Sequence, residues 1–556
     1  MKTRHLIKNI VESVKQPEIK DKLILIIIGL FLYLPFLGNV NLFDWDEANF
    51  AEAAREMIVT GDYLRVQTNY HPFWEKPPLF FWMQVISMKV FGINEFAARF
   101  VNALCGIFTL LAVYIAGTRI VNRRFGMLWA FGFIGTILPL ALFRSGIIDP
   151  VFNLFIFIGL LLLFEGFQKE TRKKKTLFFT AGLAVGFAVL TKGPVAFLIV
   201  MFCIGVYWAS GRFKKLATFG NGVLFVSSVA LVSFIFYGIE TLVHGSWFLE
   251  EFIKYHLRLL GSSEAGHGRP FYFHFIVLLL GCFPVSILAM PALFSFKEKQ
   301  TKENDFKKWM LVTFWVVLIL FSIVKTKTIL YSSMTYFPLT FLATWCIYKI
   351  SEENLIWKRW MSIMLYSIAS IWSTLFIIFP FLMRNRENII PLIKDSFAAA
   401  AIAMPSQWSG FEGIPAIGFI LAVGTATYFY SRKKVIKGTY SLLSINAVTV
   451  FIILLIFLGR IENHTQRTII DFYKSKAGKE YYVKCLYKTY TDLFYTKKLP
   501  LKNKNAYSRD WLLTGPIDKP AFFITHTKRA NKYIKKYNLT RLYDKGGYTF
   551  LKREIP

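Results

Sequence analysis

Asp44-Trp45-Asp46-Glu47-Ala48-Asn49, then Ala53-Ala54-Arg55-Glu56-Met57, Gly61-Asp62 and His71-Pro72-Phe73-Trp74-Glu75-Lys76-Pro77-Pro78, make up a polar stretch that follows an apolar run at 22–38 directly. Three acids fall within four residues beside a run greasy enough to cross a bilayer. Ionisable groups placed against lipid are costly and mark function. Locally the stretch reads as helix, turn and rigid corner. Asp44 suits an N-cap, and Glu47 three residues later completes a capping box. Ala48 to Ile58 carries the helix, Gly61 ends it, and Asp46 lies in the first turn, where the dipole favours an anion. Pro77-Pro78 holds Lys76 extended, and Pro78 opens a helix over Leu79 to Phe91 that stops at Gly92. Capping accounts for Asp44 and Glu47 and leaves Asp46 without a structural duty. Glu75 and Lys76 could form a surface ion pair of little worth, but a stiff double proline behind them argues for positioning.

Working outward, the chain has 556 residues, 55% hydrophobic and 17% aromatic, with a mean hydropathy of +0.44. That composition excludes an ordinary soluble domain and points to a polytopic membrane protein. The net charge of +32 would suggest nucleic acid in a soluble chain. Here the basic residues sit in short gaps between apolar runs, which is the positive-inside pattern, and no nucleic-acid-binding motif is present. Five cysteines without paired spacing give neither a disulfide framework nor a cysteine zinc site. The basic lead Lys2, Arg4, Lys8 and the apolar run after it lack a small-residue cleavage site, so the first run reads as a retained span.

Hydropathy marks about thirteen spans, near 22–38, 97–119, 124–141, 147–168, 177–190, 193–210, 217–238, 270–294, 309–324, 329–349, 359–383, 414–430 and 440–458. With the N-terminus cytoplasmic, Arg123-Arg124, Arg172 to Lys175, Lys214-Lys215, Lys307-Lys308 and Arg432 to Lys434 all fall in cytoplasmic gaps. Leu79 to Phe91 is too short to cross and stays outside as an interfacial or re-entrant helix; Phe397 to Met404 could dip into the interface. The outer face then carries a first loop (39–96), turns at Arg144 to Asp149, Thr191-Lys192-Gly193-Pro194 and Lys325-Thr326-Lys327, and the loops 239–269 and 384–413. Residues 1–459 form the membrane domain. Residues 460–556 are polar and basic, and odd parity puts them outside as a small α/β domain of about 95 residues. Helices fit His464 to Lys474 and Arg529 to Tyr537. Strands fit Tyr481 to Leu486, Ala521 to Thr525 and Leu539 to Leu551, the last turning at Gly546-Gly547.

The outer polar groups suit an anionic, lipid-linked substrate. Asp46 and Asp149 are the carboxylates, able to act as a base or to orient a sugar. Lys76, Lys192, Arg258, Arg269, Lys325 and Lys327 are cations able to hold phosphate. Tyr331 lies one helical turn beyond Lys327, and His256 and His267 sit in the 239–269 loop. Each has a plainer reading. Asp149-Pro150 can simply start a helix, Lys192 can snorkel from its turn, and His256 can be a surface histidine. A basic pair at Lys325 and Lys327 on the outer side runs against the charge rule, which favours function there. Glu75 with His256 could hold a divalent metal, on only two ligands.

Asp46-Glu47-Ala48, Ala54 to Met57, Glu75-Lys76-Pro77-Pro78-Leu79 and Thr191-Lys192-Gly193-Pro194 resemble the bacterial branch of the GT-C membrane glycosyltransferases. That branch includes the lipid A aminoarabinose transferases (the ArnT-like group) and is related to the protein O-mannosyltransferases. Tyr255 to Arg258, Gly268 to Tyr272, and Lys327 with Tyr331 continue the match. The resemblance implies an α-helical polytopic GT-C fold with a small C-terminal periplasmic α/β domain. It further implies transfer of a sugar from a polyprenyl (undecaprenyl) phosphate donor to lipid A, another envelope glycan or a protein, outside the bacterial inner membrane. By the same resemblance Asp46 and Asp149 are the essential acids, and Lys76, Lys192 and Tyr331 contact the donor phosphate. Glu75 and His256 lie near a metal ion, zinc or similar; no cofactor is otherwise required. Asn49 stands where the aminoarabinose transferases carry an Arg, and the Tyr331-to-Pro338 spacing also departs slightly from the pattern. Both departures bear on the sugar and the acceptor.

A different class, a transporter or flippase for a lipid-linked sugar, would place ionisable groups near mid-membrane on broken helices and repeat its halves. The sequence shows no internal repeat.

Overall fold

A computed structural model describes residues 16–168, 171–261, 268–294, 301–353 and 355–555, with the side chains of 256 and 259–261 left aside. Eight of its helices are long and apolar enough to cross a membrane: Glu95–Ile120, Asp149–Phe167, Lys174–Lys192, Phe219–His244, Lys302–Ile323, Arg359–Arg384, Ile414–Ser431 and Val435–Thr465. The other five expected spans are shorter or interrupted, so helix length does not establish a count of thirteen. The first is Pro17–Tyr33, and that at 193–210 is Val195–Ser210. The run at 124–141 divides into Arg123–Ile134 and Ile137–Leu142 around Gly135, where an added Cβ would sit 2.6 Å from Leu443. The run at 270–294 divides into Phe273–Gly281 and Val285–Leu293 around a cis Phe283-Pro284 bond. The run at 329–349 opens as a 3-10 turn, Tyr331–Thr335, before helix Tyr336–Ser351. Hydropathy sees these breaks poorly because the residues at them remain apolar.

Close packing fixes the helix ends. Gly159 faces Val185 so tightly that a Cβ would lie 2.7 Å from it, which locks Asp149–Phe167 against Lys174–Lys192. The two run antiparallel, so Asp149 and Lys192 share one end of the bundle and Arg172 to Lys175 the other. Nineteen residues rising about 1.5 Å each put these ends roughly 28 Å apart.

The helix Asp46–Thr60 forms where expected, and Gly61 ends it in the left-handed conformation (φ 74°), its N–H reaching Met57 O at 3.0 Å. Its start differs from the capping-box reading. Trp45, at φ 71°, is the N-cap, and no side chain caps the helix. Asp44 instead accepts from Tyr490 N at 3.0 Å, and its own N–H reaches Gln466 Oε1 at 3.1 Å. Glu47 accepts from Phe43 N (2.9 Å) and Gly146 N (2.6 Å) and grips Arg99 through both oxygens (3.0 and 2.7 Å). Arg99 also donates to the carbonyls of Leu37, Val40 and Asn41. Burial alone would lift the Glu47 carboxyl, but Arg99 and the two backbone N–H groups hold it below the usual glutamate range. A buried pair with every lone pair used is a rigid joint, and removing one partner is costly.

The hairpin β1 (Gln67–Thr68) and β2 (His71–Pro72) follows this helix. Helix Leu79–Phe91, 13 residues long, comes next. The last long helix, Val435–Thr465, runs through Gly459, past the change in composition, and carries Arg467–Lys476 and the tail. There β3 (Tyr482–Cys485), β4 (Ala521–His526), β5 (Thr540–Lys545) and β6 (Tyr548–Arg553) form one sheet in the order β3-β4-β6-β5. Only the β3–β4 pairing is parallel. Helices Thr491–Thr496 and Thr527–Tyr537 complete an α/β unit. The segment Phe397 to Met404 meets the tail at its start. Phe397, in helix Ser396–Ile402, packs its ring on His526 (4.7 Å) and Tyr548 (5.1 Å) of the tail.

The tail and the first loop are stitched together. Tyr495 OH accepts from Leu42 N (2.6 Å), and Lys474 reaches Asn41 Oδ1 (2.7 Å). A second ionic knot lies lower on the helix. Arg55 binds Glu52 at 2.6 and 2.7 Å and Lys498 O at 2.6 Å, while Tyr70 OH reaches the same carbonyl at 2.5 Å. Glu56 accepts from Asn69 N and Tyr70 N at 2.6 and 2.7 Å. Burial and the nearby Glu52 push its carboxyl up to about 9, so it stays protonated at neutral pH.

Candidate active site

Asp46, Glu75, Lys76, Asp149, Lys192 and Tyr331 come together from four separate segments. Asp149 starts its helix with Pro150 behind it, and Lys192 ends the antiparallel neighbour just before Gly193 (φ 97°). Acid at a helix start and base at a helix end both agree with the helix dipoles. The Lys192 ammonium donates to Asp149 Oδ1 at 2.6 Å and stands 5.0 Å from the Tyr331 ring centre and 5.5 Å from that of Phe152. Asn153, one turn beyond Asp149, donates to Ser333 Oγ at 2.8 Å and so fixes the 3-10 turn that presents Tyr331.

Asp46 differs from its neighbour Glu47. Its side chain still reaches water, although protein surrounds it on most sides. That enclosure pushes its carboxyl above the usual range; Lys76 and Lys192 pull it down, and Asp149 and Glu75 add to the rise. Lys76 is half-buried. Burial draws its ammonium below the usual lysine value, Glu75 and Asp46 oppose that, and Lys192 reinforces it. Lys76 donates to its own neighbour's carbonyl, Glu75 O (3.2 Å), and lies 5.4 Å from the Tyr255 ring centre. The Tyr255 hydroxyl donates to Glu75 Oε2 at 3.1 Å. Three carboxylates, two ammonium groups and two phenols therefore gather at one end of the bundle.

The remaining sequence candidates make other contacts. Lys327 is buried, and its ammonium donates to Val324 O (2.6 Å) and Arg269 O (3.1 Å). It straps the 268–270 segment down beside the Gly268–Thr326 bridge. Arg269 and Lys325 are exposed; Arg258 is exposed too, with its guanidinium 5.9 Å from the Tyr255 ring centre. The side chain of His256 and all of His267 lie outside the described residues. Glu75 gives one oxygen to Tyr255, and among the described residues no group of three or more His, Cys, Asp or Glu side chains gathers to hold a metal. The described residues thus offer a metal one candidate ligand, too few to derive a step through it.

Three contributors were not visible in the sequence. Tyr255 stands in the sequence only as part of a motif, yet it holds both Glu75 and Lys76. Glu47 was read as a cap, yet it ties the Asp46 turn to Gly146 in the Asp149 turn. Tyr490, from the tail, lies within the electrostatic reach of Glu75, Asp44 and Asp46. The motifs that contain Tyr255 and Glu47 offer a signal for those two; Tyr490 depends on partners distant in sequence.

Three comparisons with known proteins bear on the fold and the family. The family described as dolichyl-phosphate-mannose-protein mannosyltransferase matches residues 75–237. An uncharacterised protein of Aquifex aeolicus is 30% identical over 408 residues, 72% of this chain and 76% of its own length. The undecaprenyl phosphate-alpha-4-amino-4-deoxy-L-arabinose arabinosyl transferase 2 of Proteus mirabilis is 28% identical over 57% of this chain; the match spans 58% of that transferase. The crystal structure of ArnT from Cupriavidus metallidurans bound to undecaprenyl phosphate has the same fold. Its TM-score is 0.76 at 14% identity, over 95% of this chain and 97% of that one.

Proposed function

We propose that this chain, a membrane glycosyltransferase resembling the ArnT-like GT-C group, moves a sugar from an undecaprenyl-phosphate carrier to lipid A or a related envelope glycan. The reaction would take place at the periplasmic face of the bacterial inner membrane, with the N-terminus cytoplasmic and the tail domain periplasmic. The observation that carries the reading is the Lys192–Asp149 pair under Tyr331, with Lys76 and Asp46 close by. Orientation rests on the basic gap at Arg172 to Lys175, which lies at the bundle end opposite to this cluster and belongs in the cytoplasm by the charge rule.

In transfer, the bond between the sugar's anomeric carbon and the carrier's phosphate oxygen breaks, and an acceptor oxygen bonds to that carbon. The departing lipid phosphate gains negative charge as the bond lengthens. Lys76 and Lys192, with the Tyr331 hydroxyl, face that charge from fixed positions, which is where electrostatic catalysis acts. Asp149 holds the Lys192 ammonium in place. Asp46, still open to water, is the group free to meet the acceptor. A hydroxyl acceptor would give its proton to the Asp46 carboxylate; an anionic phosphate acceptor has none to give, and Asp46 would then orient it.

Match to the protein mannosyltransferase family over 75–237 favours one second reading, a protein hydroxyl as acceptor, for which the Asp46 base would be indispensable. The deciding experiment reconstitutes the protein in vesicles with labelled undecaprenyl-phosphate aminoarabinose and offers lipid A or a Ser/Thr peptide. Label appearing on lipid A supports the first reading and label on peptide the second. Label that crosses the bilayer still attached to its carrier would mean a flippase and end the proposal.

A further inference from the structure

Tail and first loop meet beside Asp46 in a way that the transfer chemistry above leaves unused. The Trp45 indole is 40% exposed, immediately before Asp46, on a backbone at φ 71° and ψ −111° that residues with a Cβ avoid. The Tyr490 ring meets it edge-on at 6.3 Å, and the Lys488 ammonium stands 5.1 Å from its ring centre. One carboxylate builds this pairing. Asp44 Oδ1 accepts from Trp45 N at 2.8 Å and from Tyr490 N at 3.0 Å, across 446 residues of sequence. Gln466 secures it from the last long helix, accepting from Asp44 N (3.1 Å) and donating to Leu42 O (2.8 Å). An exposed aromatic held in an unfavourable backbone conformation by a dedicated clamp is a feature kept for a task.

We propose that Trp45, Lys488 and Tyr490 form the acceptor subsite, a ledge that takes a phosphorylated saccharide. The indole offers a flat apolar face for the C–H surface of a sugar ring, Lys488 a cation for its phosphate, and Tyr490 a hydroxyl for hydrogen bonding. Lys76, Lys192 and Tyr331 serve the carrier phosphate; the ledge joins Trp45 of the first loop, next to Asp46, with Lys488 and Tyr490 of the tail. The tail is therefore part of the active site and sets acceptor choice. This rests on the transferase reading, and the two are separable by their ligands.

The test measures binding of bisphosphorylated lipid A and, separately, of undecaprenyl phosphate to the full-length protein in nanodiscs. Trp45→Ala and Lys488→Glu should each weaken lipid A binding about tenfold or more with undecaprenyl phosphate binding unchanged. Lys488→Arg should restore it, and Lys488→Glu should abolish any preference for bisphosphorylated over dephosphorylated lipid A. A loss that merely reflected misfolding would also lower the melting temperature and carrier binding. Lipid A binding unaltered by both variants overturns the ledge, as does a wild-type protein that binds the carrier but not lipid A. A wild-type protein that binds neither overturns the transferase reading as well.

Discussion

Asp46 and Glu47 are adjacent carboxylates on one helix start, and their surroundings could hardly differ more. Glu47 is 6% exposed and uses both oxygens on Arg99 and two backbone N–H groups. Asp46 reaches water, and the cations near it are shared with Glu75 and Asp149. The first arrangement is closed, and its value lies in stability. The second is left incomplete, and a substrate phosphate and an acceptor can complete it. Two neighbouring charges of one sign thus meet opposite surroundings, and only Asp46 is left open to water.

The sharpest way to break that contrast is Asp46→Asn. Transfer to a hydroxyl acceptor should fall by about 10²–10⁴-fold with no change in melting temperature, measured on labelled donor and by thermal unfolding; a large loss of stability would erase the distinction. Glu47→Gln should do the reverse, costing about 3–5 kcal/mol of stability by stranding Arg99. Because the Glu47 carboxyl is held below its ordinary value, the stability it contributes is full above the usual glutamate range. It is lost as pH falls through the lowered value, and acid unfolding of the glutamine variant should lack that component. Lys192→Met should lower transfer by about 10²–10³-fold and weaken undecaprenyl phosphate binding measurably in nanodiscs. The smallest effect is in the pH profile. A raised Asp46 carboxyl and a lowered Lys76 ammonium narrow the active window from both sides. Lys76→Arg should therefore extend the alkaline limb upward while leaving the acid limb in place.

Much of this architecture was legible in the residues. Eight apolar helices follow the hydropathy runs, Gly61 ends its helix as glycine at that point should, and the Gly546-Gly547 turn separates β5 from β6. What escaped the sequence was pairing over distance. Asp44 and Glu47 had ideal local spacing for a capping box, but Tyr490 and Arg99 offered them better partners than the helix's own N–H groups. Lys327 stood out because a basic pair on the outer side runs against the charge rule, and its ammonium is bonded to main-chain carbonyls. The helix interruptions near Gly135 and Pro284 are made of apolar residues, so hydropathy read through them. The Asp46, Lys76, Asp149 and Lys192 convergence could be anticipated because each sits at the end of a helix or beside a proline, where the chain has little freedom.

The final long helix has 31 residues, about 46 Å at 1.5 Å per residue, against a hydrocarbon slab of roughly 30 Å. It rises from the lipid as a mast, and Gln466 at its top clamps Asp44. A thinner or thicker bilayer would change how that mast leans, and its lean is coupled to the gap between Tyr490 and Asp46. The lipid around this protein would thus act as a gauge on its working end, so that acyl-chain length, with no change of sequence, tunes how well the two halves of the site meet.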